Sequence, residues 1–507
     1  MPSAVNAVTS GIKPVRIVYQ NDTHLSWENL TNSVTGFQQL SQDGYMKGRD
    51  VLRLHAGDFM TGSADKDFTL AVKLANMMRF HAVALGNHEL YMGLANYVKG
   101  VKELANFPTL ASNLDLKPGA LADSFYQQLK MSGQFKQEPL IIPGQHGTYG
   151  VIGLTRSDNN YPYSPEMPHM GFQTASLEQS IEKVRSQVKS LQSKGVQKII
   201  LLSHLGYDYD KVLASKVDGL QVIIGGDSHT VLNGAVPGKN WVASPSGRPV
   251  LILQAGDNAN YVGVADLNFD ANGQITSVSN RLIPSGEFAK DPTATAMVES
   301  TLPPDKLVTT LTAPMERPDI KSGMKNNVFP EFVADQIRRL TGADLALLRR
   351  TEVRNTLPAG PLTYRQLERA LPYDSELVVM QLSGQELLAA MSQYMKSAKK
   401  LGHGLMIPSG LRYALNPTTR ELSQAQAFNA SRSAWEPLQP SKLYRVAMTD
   451  FVLKNAFEAP LMNRPQAVLK QMPITLRDAF MSGIQQANAY QTQFTPPVGD
   501  GRIKVLG

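Results

Sequence analysis

The sequence predicts an α/β protein whose first part is a layered domain of strands and helices. Two observations carry this prediction. Over residues 1–290, short apolar runs alternate with stretches in which apolar residues recur at helical spacing. Five of these runs also end directly in Asp, Asn or His, as strands do when ligand groups gather at one edge of a sheet. Alternating strands and helices are typical of layered α/β domains.

The individual elements follow from the periodicity of apolar residues. Six apolar runs are predicted to be strands: 15–19, 51–54, 82–85, 149–154, 198–202 and 222–224. The helix predicted over residues 177–194 is amphipathic, with four apolar residues on one face: Ile181, Val184, Val188 and Leu191.

The chain is predicted to have two domains joined by a linker. Residues 284–305 are rich in Pro, Ser, Thr and Ala, which is typical of a connection. We place the first domain at residues 1–290, the linker at 291–310 and the second domain at 311–507. A predicted helix over residues 328–339, followed by further strands and helices, makes the second domain α+β or α/β.

The composition excludes several classes of protein. Of 507 residues, 42% are hydrophobic and 18% are charged, which is ordinary for a globular chain. The net charge of +7 is spread along the chain without a long run of Lys and Arg, so we expect no nucleic-acid partner. Without cysteine there are no disulfides and no thiolate metal ligands. No apolar stretch is long enough to predict a transmembrane helix.

The first residues, Met1 to Asn6, are polar and lack the basic and apolar regions of a signal peptide. We therefore expect none in this chain, and both a cytoplasmic protein and the mature form of an exported one fit this start.

Polar residues that suit divalent metal ions follow five of the predicted strands. They lie in Asn21-Asp22-Thr23-His24, Ala56-Gly57-Asp58, Gly86-Asn87-His88-Glu89, Ser203-His204 and Gly225-Gly226-Asp227-Ser228-His229. Because ligand groups gather beyond the carboxyl ends of the strands in such sheets, we expect these side chains to converge. Their oxygen and nitrogen atoms are ligands for Mn, Zn, Fe or Mg.

A pair of divalent ions needs a bridging carboxylate, and Asp58 is the candidate. Gly57 permits a tight turn beneath it. Asp22 and His24 alternate along an extended strand end, so both can point to one side. The remaining histidines are interpreted as core or rim residues (His55, His81) or as solvated loop residues (His146, His169, His403).

Together these segments resemble the five motif blocks of the calcineurin-like metallophosphoesterases. The spacing, and the segment Val250-Leu251-Ile252-Leu253-Gln254-Ala255-Gly256, are similar to the 5′-nucleotidase branch. That branch includes UDP-sugar hydrolases, NAD nucleotidases and 2′,3′-cyclic-nucleotide phosphodiesterases. Segments around Thr341-Gly342-Ala343-Asp344, Leu357-Pro358-Ala359-Gly360 and Lys442-Leu443-Tyr444-Arg445 resemble the C-terminal domain of the branch. The resemblance therefore covers nearly the whole chain.

The resemblance implies a four-layer αββα sandwich followed by a smaller α+β substrate domain. It implies hydrolysis of phosphate esters, most typically nucleotides, by a metal-activated water and two divalent metal ions. Asp22, His24 and His229 would hold one ion, Asn87, His204 and Asp227 the other, and Asp58 would bridge them. His88, with Asn87 beside it, would lie near the scissile phosphate and stabilise the charge that develops there. A periplasmic or secreted location is expected from the family; a cytoplasmic one and the oligomeric state stay open.

The metal site departs from the family pattern at two places. Asp227 stands where the family usually has His, and because a carboxylate is a harder ligand we expect Mn or Mg, with Zn and Fe less favoured. Leu90 and Tyr91 stand where the family has an aromatic residue and then Asp. His88 is therefore expected to lack the usual carboxylate partner, with Tyr91 as its replacement.

The C-terminal pocket departs further. The family's Asn-Gly-Gly-Gly-hydrophobic-Arg segment aligns with residues 349–354, where Arg354 remains as a candidate phosphate clamp. Arg349 and Arg350 stand in place of glycines, and they either make the pocket narrower and more basic or form surface ion pairs. The aromatic residues that sandwich a base align with Leu405 or Met406 and with the region of Phe451 and Phe457. The candidate substrate-binding residues are therefore Arg349, Arg354, Leu405, Phe451 and Phe457.

Three functions fit these observations. The first is a 5′-nucleotidase-like phosphohydrolase. The second is another hydrolase on the same dimetal site, such as a phosphodiesterase, a cyclic-nucleotide, NAD or UDP-sugar hydrolase, or a thiosulfohydrolase-like enzyme. The third is a non-catalytic relative that keeps the fold.

Overall fold

The structure is a computed structural model of the chain, and it divides into two compact units. It describes residues 13–60, 65–116, 133–157, 172–302, 304–317, 327–397, 404–451, 464–487 and 493–506. The described residues up to 302 form the N-terminal unit, and those from 304 onward form the C-terminal unit.

The N-terminal unit alternates strands and helices. In chain order they are β1 Lys13–Gln20, α1 Trp27–Met46, β2 Asp50–His55, α2 Asp65–Met78, β3 Ala82–Ala84, α3 Leu94–Leu104, β4 Thr109–Leu110, β5 Leu114–Leu116, β6 Phe135–Lys136, β7 Leu140–Gly144, β8 Gly147–Leu154, β9 Phe172–Thr174, α4 Leu177–Ser193, β10 Lys198–Ser203, α5 Tyr207–Lys216, β11 Val222–Gly225, β12 Trp241–Ala243, β13 Pro249–Leu253, β14 Tyr261–Phe269, β15 Ile275–Pro284 and α6 Pro292–Thr301.

Two large sheets form the centre of this unit. In the described residues the first has the order β15-β14-β1-β2-β3-β4-β6 and the second β12-β13-β11-β10-β8-β7. Strands β1, β2 and β3 run parallel to one another, as do β8, β10, β11 and β13. The carboxyl ends of the strands that precede the predicted metal ligands therefore share one edge within each sheet.

The apolar residues form three cores that define four layers. One core lies between the sheets and contains Ile17 and Leu54 of the first sheet with Ile200 and Ile224 of the second. A second core packs α1, α2, α3 and α6 on the first sheet, and a third packs α4 and α5 on the second. The predicted αββα sandwich is thus confirmed.

The six predicted strands and both predicted helices are present, with ends that differ by a few residues. The structure does not show a linker over the whole of residues 291–310, because residues 292–301 form the helix α6. Asp291 accepts a hydrogen bond from the backbone N–H of Ala294 and Pro292 opens the helix, as at many helix starts. Ala294 and Val298 are buried in the core that contains α1 and α2. Proline and small residues here begin and pack a helix instead of forming a flexible connection.

The C-terminal unit is α+β, with parallel and antiparallel pairing. Its elements are β16 Leu307–Leu311, α7 Val328–Thr341, β17 Leu345–Arg349, β18 Gly360–Thr363, α8 Tyr364–Ala370, β19 Glu376–Ser383, α9 Gly384–Ser397, β20 Met406–Ser409, β21 Leu411–Leu415, β22 Leu422–Asn429, β23 Ala434–Pro437, β24 Leu443–Thr449, β25 Val468–Thr475, α10 Leu476–Ala487, β26 Gln493–Phe494 and β27 Ile503–Val505. The largest sheet among the described residues has the order β20-β17-β24-β19-β25. Helices α7, α9 and α10 contribute to the core that this sheet shares.

None of the helices in the described ranges combines the length and the hydropathy that a membrane-spanning segment needs.

Candidate metal centre

The predicted ligands lie on loops that leave the carboxyl ends of β1, β2, β10 and β11, and on the turn after β3. Backbone hydrogen bonds join these loops to one another. The N–H of Asp22 donates to the carbonyl of Gly57 (2.9 Å), and that of His24 donates to the carbonyl of Asp58 (3.2 Å). The N–H of Asp227 donates to Oδ1 of Asp22 (3.1 Å), which links the two sheets at the same place.

Five of the predicted ligands have a left-handed backbone, which is uncommon for residues other than glycine. Their φ angles lie between 46° and 66°, in the residues Asp22, His24, Asp58, Asp227 and His229. Each such residue costs of order 1–3 kcal/mol, and such residues cluster at functional sites. The loops turn sharply at the strand ends, and the side chains are thereby directed to one place.

Asp22, His24 and His229 form the first cluster, and their ligand atoms lie within 4.8 Å of one another. Oδ1 of Asp22 is 3.9 Å from Nε2 of His24 and 3.5 Å from Nε2 of His229. Oδ2 of Asp22 accepts a hydrogen bond from the side-chain amide of Asn21 (2.7 Å). The carboxylate of Asp22 is completely buried.

Asp58 lies at the centre of the second cluster. Its Oδ2 is 3.1 Å from Nε2 of His204 and 3.7 Å from Nε2 of His88. Its Oδ1 accepts the backbone N–H of His88 (2.9 Å). Asp58 belongs to one ligand group with Asp22 and His204 and to another with His24 and His88. This placement between groups is what the predicted bridging role requires.

The buried carboxylates strongly favour positive charge at this place. Burial raises the pKa of Asp22, although the nearby charge of His229 acts to lower it. Burial also acts to raise the pKa of Asp58, but the charges of His204, His88 and His24 together outweigh it and hold that pKa well below its usual range. Burial acts to lower the pKa of His204, yet Asp58, Asp22 and Asp227 together raise it well above the ordinary value. Burial is likewise outweighed at His229, where Asp22 and Asp257 together raise the pKa to about 9.

The hydrogen bonding of His204 fits a metal ligand. Its Nδ1 lies 2.7 Å from the carbonyl of Ala56, so Nδ1 is the nitrogen that donates a proton. Its Nε2 is buried and faces Oδ2 of Asp58 at 3.1 Å, but it makes no well-aligned hydrogen bond in the part of the chain that the structure describes. Metal-ligating histidines commonly donate one ring N–H to a carbonyl and coordinate through the other nitrogen.

The other two histidines repeat this arrangement. Nδ1 of His24 faces the carbonyl of Met60 (3.2 Å), and Nδ1 of His229 faces Oδ2 of Asp257 (3.1 Å). The two Nε2 atoms then lie 3.1 Å from each other. Convergence of imidazole nitrogens beside the carboxylate of Asp22 fits a divalent cation, since all of these atoms are donors for Mn or Zn.

Asp227 is placed differently from the other candidates. Its Oδ1 is 3.2 Å from Nη1 of Arg156, which follows β8, and both side chains are about one-fifth exposed. The charge of Asp227 also acts on His204, so the carboxylate is near the second cluster. Asn87 is buried directly before the turn that carries His88. The side chain of Tyr91 lies outside the described residues, as do His169, His403 and Phe457.

Four residues that contact the candidate ligands had no role predicted from the sequence. Glu89 accepts backbone N–H groups from Asp58 (3.0 Å), Met60 (3.1 Å) and Gly86 (2.7 Å), and burial raises its pKa to about 8. No role was predicted for Asn21, Asp257 or Arg156 either. Arg156 could have been found, because it follows a predicted strand as the candidate metal ligands do.

The described C-terminal candidates lie in different surroundings. Arg349 is buried, its Nε donates to the hydroxyl of Tyr394 (2.6 Å), and its guanidinium carbon lies 3.8 Å from the ring centre of Phe451. Arg350 is buried too, so the expectation of surface ion pairs is wrong for both arginines. Leu405 is a core residue, and Arg354 is half-buried. One face of Phe451 is thus covered by a guanidinium.

Comparison with known proteins assigns both units. Residues 15–231 match the family described as calcineurin-like phosphoesterase, and residues 308–463 match the one described as 5′-nucleotidase, C-terminal domain. The chain belongs to the 5′-nucleotidase branch of the calcineurin-like metallophosphoesterases. It is 25% identical to a 5′-nucleotidase of Bos taurus over 487 residues, which is 86% of this chain and 82% of the relative. A Homo sapiens 5′-nucleotidase is 26% identical over 440 residues, which is 80% of this chain and 74% of the relative.

Solved structures show the same fold. A 5′-nucleotidase precursor of Thermus thermophilus aligns with a TM-score of 0.79 at 24% identity, over 97% of this chain and 99% of that one. A sulfate thiohydrolase, SoxB, of Thermus thermophilus aligns with a TM-score of 0.73 at 14% identity, over 100% of this chain and 98% of that one. The family membership and the clustered ligands make the chain a hydrolase that cleaves phosphate esters with the help of divalent metal.

Proposed function

We propose that the chain is a 5′-nucleotidase-like enzyme that releases phosphate from nucleotides. The observation that carries the proposal is the convergence of Asp22, His24, His229, Asp58 and His204 at the strand ends, with donor atoms within 4.8 Å in each group. Such a set is suited to a pair of divalent cations. Bound there, the cations would supply Lewis-acid chemistry for phosphoryl transfer.

The chain's own residues would hold and orient the reacting group. Asp58 would bind both cations, Asp22 and the three histidines would complete their coordination, and Asn87 and Asp227 are proposed as further ligands. His88 is fixed by its backbone N–H to Asp58, and its ring centre is 4.7 Å from that of His24. Its imidazole is therefore suited to donate a hydrogen bond to a phosphoryl or leaving oxygen, where charge develops.

The similarity to two 5′-nucleotidases supports nucleotides as the substrates of this chain. The Bos taurus and Homo sapiens proteins of similar length are both 5′-nucleotidases. The half-buried Arg354 is proposed as a clamp for phosphate, since guanidinium binds phosphate oxygens in pairs.

A substrate panel tests this proposal. The full chain with saturating Mn²⁺ would be assayed for phosphate release from nucleoside monophosphates, UDP-glucose, NAD, 2′,3′-cyclic nucleotides and bis(p-nitrophenyl) phosphate. We expect the highest kcat/KM with a nucleoside 5′-monophosphate, and no turnover by the Asp58→Asn variant. Turnover only of diesters or of esters without a base would refute the nucleotide assignment and leave the metal centre in place.

A second candidate is hydrolysis of another ester at the same centre, including phosphodiesters, NAD, UDP-sugars and thiosulfonate-type substrates. It is favoured by Arg349, whose guanidinium lies against the ring of Phe451. A base stacked on that face would have to displace the guanidinium, and base–aromatic stacking is worth about 1–3 kcal/mol. The same panel separates the two candidates.

The metal is proposed to be Mn, with Mg, Zn and Fe as the alternatives. Asp227 adds a hard oxygen ligand where a nitrogen ligand is usual, which favours the harder ions. Titration of the metal-free chain with each ion in a calorimeter tests this, and tighter binding of Zn than the general affinity order predicts would contradict it.

The periplasmic or secreted location that the family resemblance implies is also part of the proposal. Fractionation of the native cells, followed by detection of the protein in each compartment, tests it.

A further inference from the structure

His55 is a buried histidine that the proposed chemistry does not use. It is the last residue of β2, 1% of its surface is exposed, and its ring packs against Phe80 with ring centres 5.4 Å apart. A cavity of about 10 Å³ lies beside it, which is room for one water at most. The imidazole is therefore held firmly in one orientation.

Two hydrogen bonds of His55 reach the loops that carry metal ligands. The backbone N–H of Gly57 donates to its Nδ1 (3.2 Å), and its Nε2 is 3.3 Å from the hydroxyl of Thr23. Thr23 lies between the ligands Asp22 and His24, and Gly57 directly precedes the bridging Asp58.

The first of these bonds fixes the tautomer. A backbone N–H can only donate, so Nδ1 of His55 is the acceptor and Nε2 carries the proton that faces Thr23. Burial lowers the pKa of His55 to about 3, so the ring is neutral at ordinary pH. A neutral ring with one acceptor and one donor matches the two groups that it faces.

These loops need such support because their backbones are strained. Asp22, His24 and Asp58 all lie in the left-handed region, and Gly57 has φ +89°, which glycine alone adopts without strain. Strained residues keep their conformation only when surrounding contacts determine it. His55 contacts both loops, one through Gly57 and the other through Thr23.

We propose that His55 is a positioning residue of the metal centre, which as the Nε2–H tautomer ties the Asp22–His24 turn to the Gly57–Asp58 turn. This inference rests on the metal centre of the proposed function. The ring acts through the backbone N–H of Gly57 and through the hydroxyl of Thr23, each of which is next to a ligand in the chain.

His81 provides a matched control. It also accepts a backbone N–H at Nδ1, from Arg53 (3.0 Å), and burial also lowers its pKa, to about 4. It lies next to the start of β3, at the opposite end of that strand from the ligands. Its replacement removes a half-buried histidine beside the same sheet without touching either ligand loop.

The experiment is a calorimetric titration of the full metal-free chain with Mn²⁺, with circular dichroism as the check on folding. His55→Leu is expected to weaken Mn²⁺ binding about tenfold, as loss of groups that orient ligands commonly does. His55→Asn should recover part of this loss, because the amide oxygen can accept the N–H of Gly57. Thr23→Val, which removes only the hydroxyl, should weaken binding in part, and His81→Leu should bind Mn²⁺ like the wild type.

The outcomes separate this inference from the proposed function. Wild-type affinity in a folded His55→Leu chain overturns the positioning role alone, and so does an equal loss in His81→Leu. If His55→Leu does not fold, Thr23→Val decides, and wild-type affinity there overturns the role. A wild-type chain that binds no Mn²⁺ overturns the metal centre itself, and the positioning role with it.

Discussion

Gly86 lies so close to Asp58 that an added methyl group would displace its carboxylate, which is the proposed bridging ligand. An alanine Cβ at position 86 would be 2.1 Å from Oδ1 of Asp58, 2.4 Å from its backbone nitrogen and 2.6 Å from Oε2 of Glu89. The backbone of Gly86 is not in the left-handed region, so alanine meets no conformational penalty there. The effect of Gly86→Ala is therefore steric.

The size of the displacement follows from these distances. Ordinary contacts of a Cβ begin at 3.4 Å, so the carboxylate of Asp58 or the backbone beside it must shift by roughly 1 Å. Metal–ligand distances tolerate only about 0.2 Å. We expect the affinity for Mn²⁺ to fall at least about tenfold to hundredfold. Overpacking should also lower the free energy of unfolding by about 1–3 kcal/mol.

The assay is Mn²⁺ titration in a calorimeter, with thermal unfolding of the metal-free chain as the measure of stability. Gly100→Ala is the control, because its Cβ would be equally close, 2.1 Å, to Phe68 in the helical layer. The control should change stability and leave Mn²⁺ affinity unchanged. A folded Gly86→Ala chain with wild-type affinity would refute the placement of Asp58 in the metal centre.

Three further substitutions test other parts of the account. Asp58→Asn should abolish turnover with the circular dichroism spectrum unchanged, because it removes the proposed bridging carboxylate, and substantial residual turnover would contradict the bridging role. Arg156→Met removes the cation that pairs with Asp227 at 3.2 Å. Because the carboxylate is then free to bind metal, the affinity for Mn²⁺ should rise a few-fold, by about 1 kcal/mol. Weaker or equal binding would count against Asp227 as a ligand. Arg349→Met removes a charge that lowers the pKa of Glu352, which burial raises. Because that carboxyl keeps its proton in the folded chain after the unfolded chain has lost it, its contribution to stability falls as pH rises above about 4.5. In the variant this fall should extend to higher pH, which thermal unfolding followed from about pH 5 to about pH 8 would measure.

The strands of the N-terminal unit were predictable because most of their side chains are buried on both faces. Runs such as 198–202 and 222–224 are wholly apolar or nearly so, and they became β10 and β11. Helix α6 was not recognised, because its composition is typical of a loop and its signal is the cap at Asp291 with proline after it. Periodicity alone does not detect a helix that begins in this way.

The metal cluster was predictable for a similar reason, since parallel strands present their carboxyl ends at one edge. Asp22, His24, Asp58 and His204 each lie within four residues of the end of a strand. The partners of these residues could not be read from sequence. Glu89 and Asp257 act through contacts that depend on how loops fold back.

The C-terminal pocket was predictable only in part. Arg349 and Phe451 were both identified as candidates for binding substrate, but they stack on each other. Alignment with a family gives positions along a strand, and it does not give the side chain that fills the space between two strands. The guanidinium of Arg349 therefore covers the aromatic face of Phe451, which the sequence did not indicate.

The most direct test of the account is phosphate release from 5′-AMP by the metal-stripped full chain, with and without Mn²⁺. We expect release that depends on added Mn²⁺, that stops when a chelator is added, and that is absent from Asp58→Asn. Equal rates with and without metal would contradict a centre built on Asp22, Asp58 and the histidines around them.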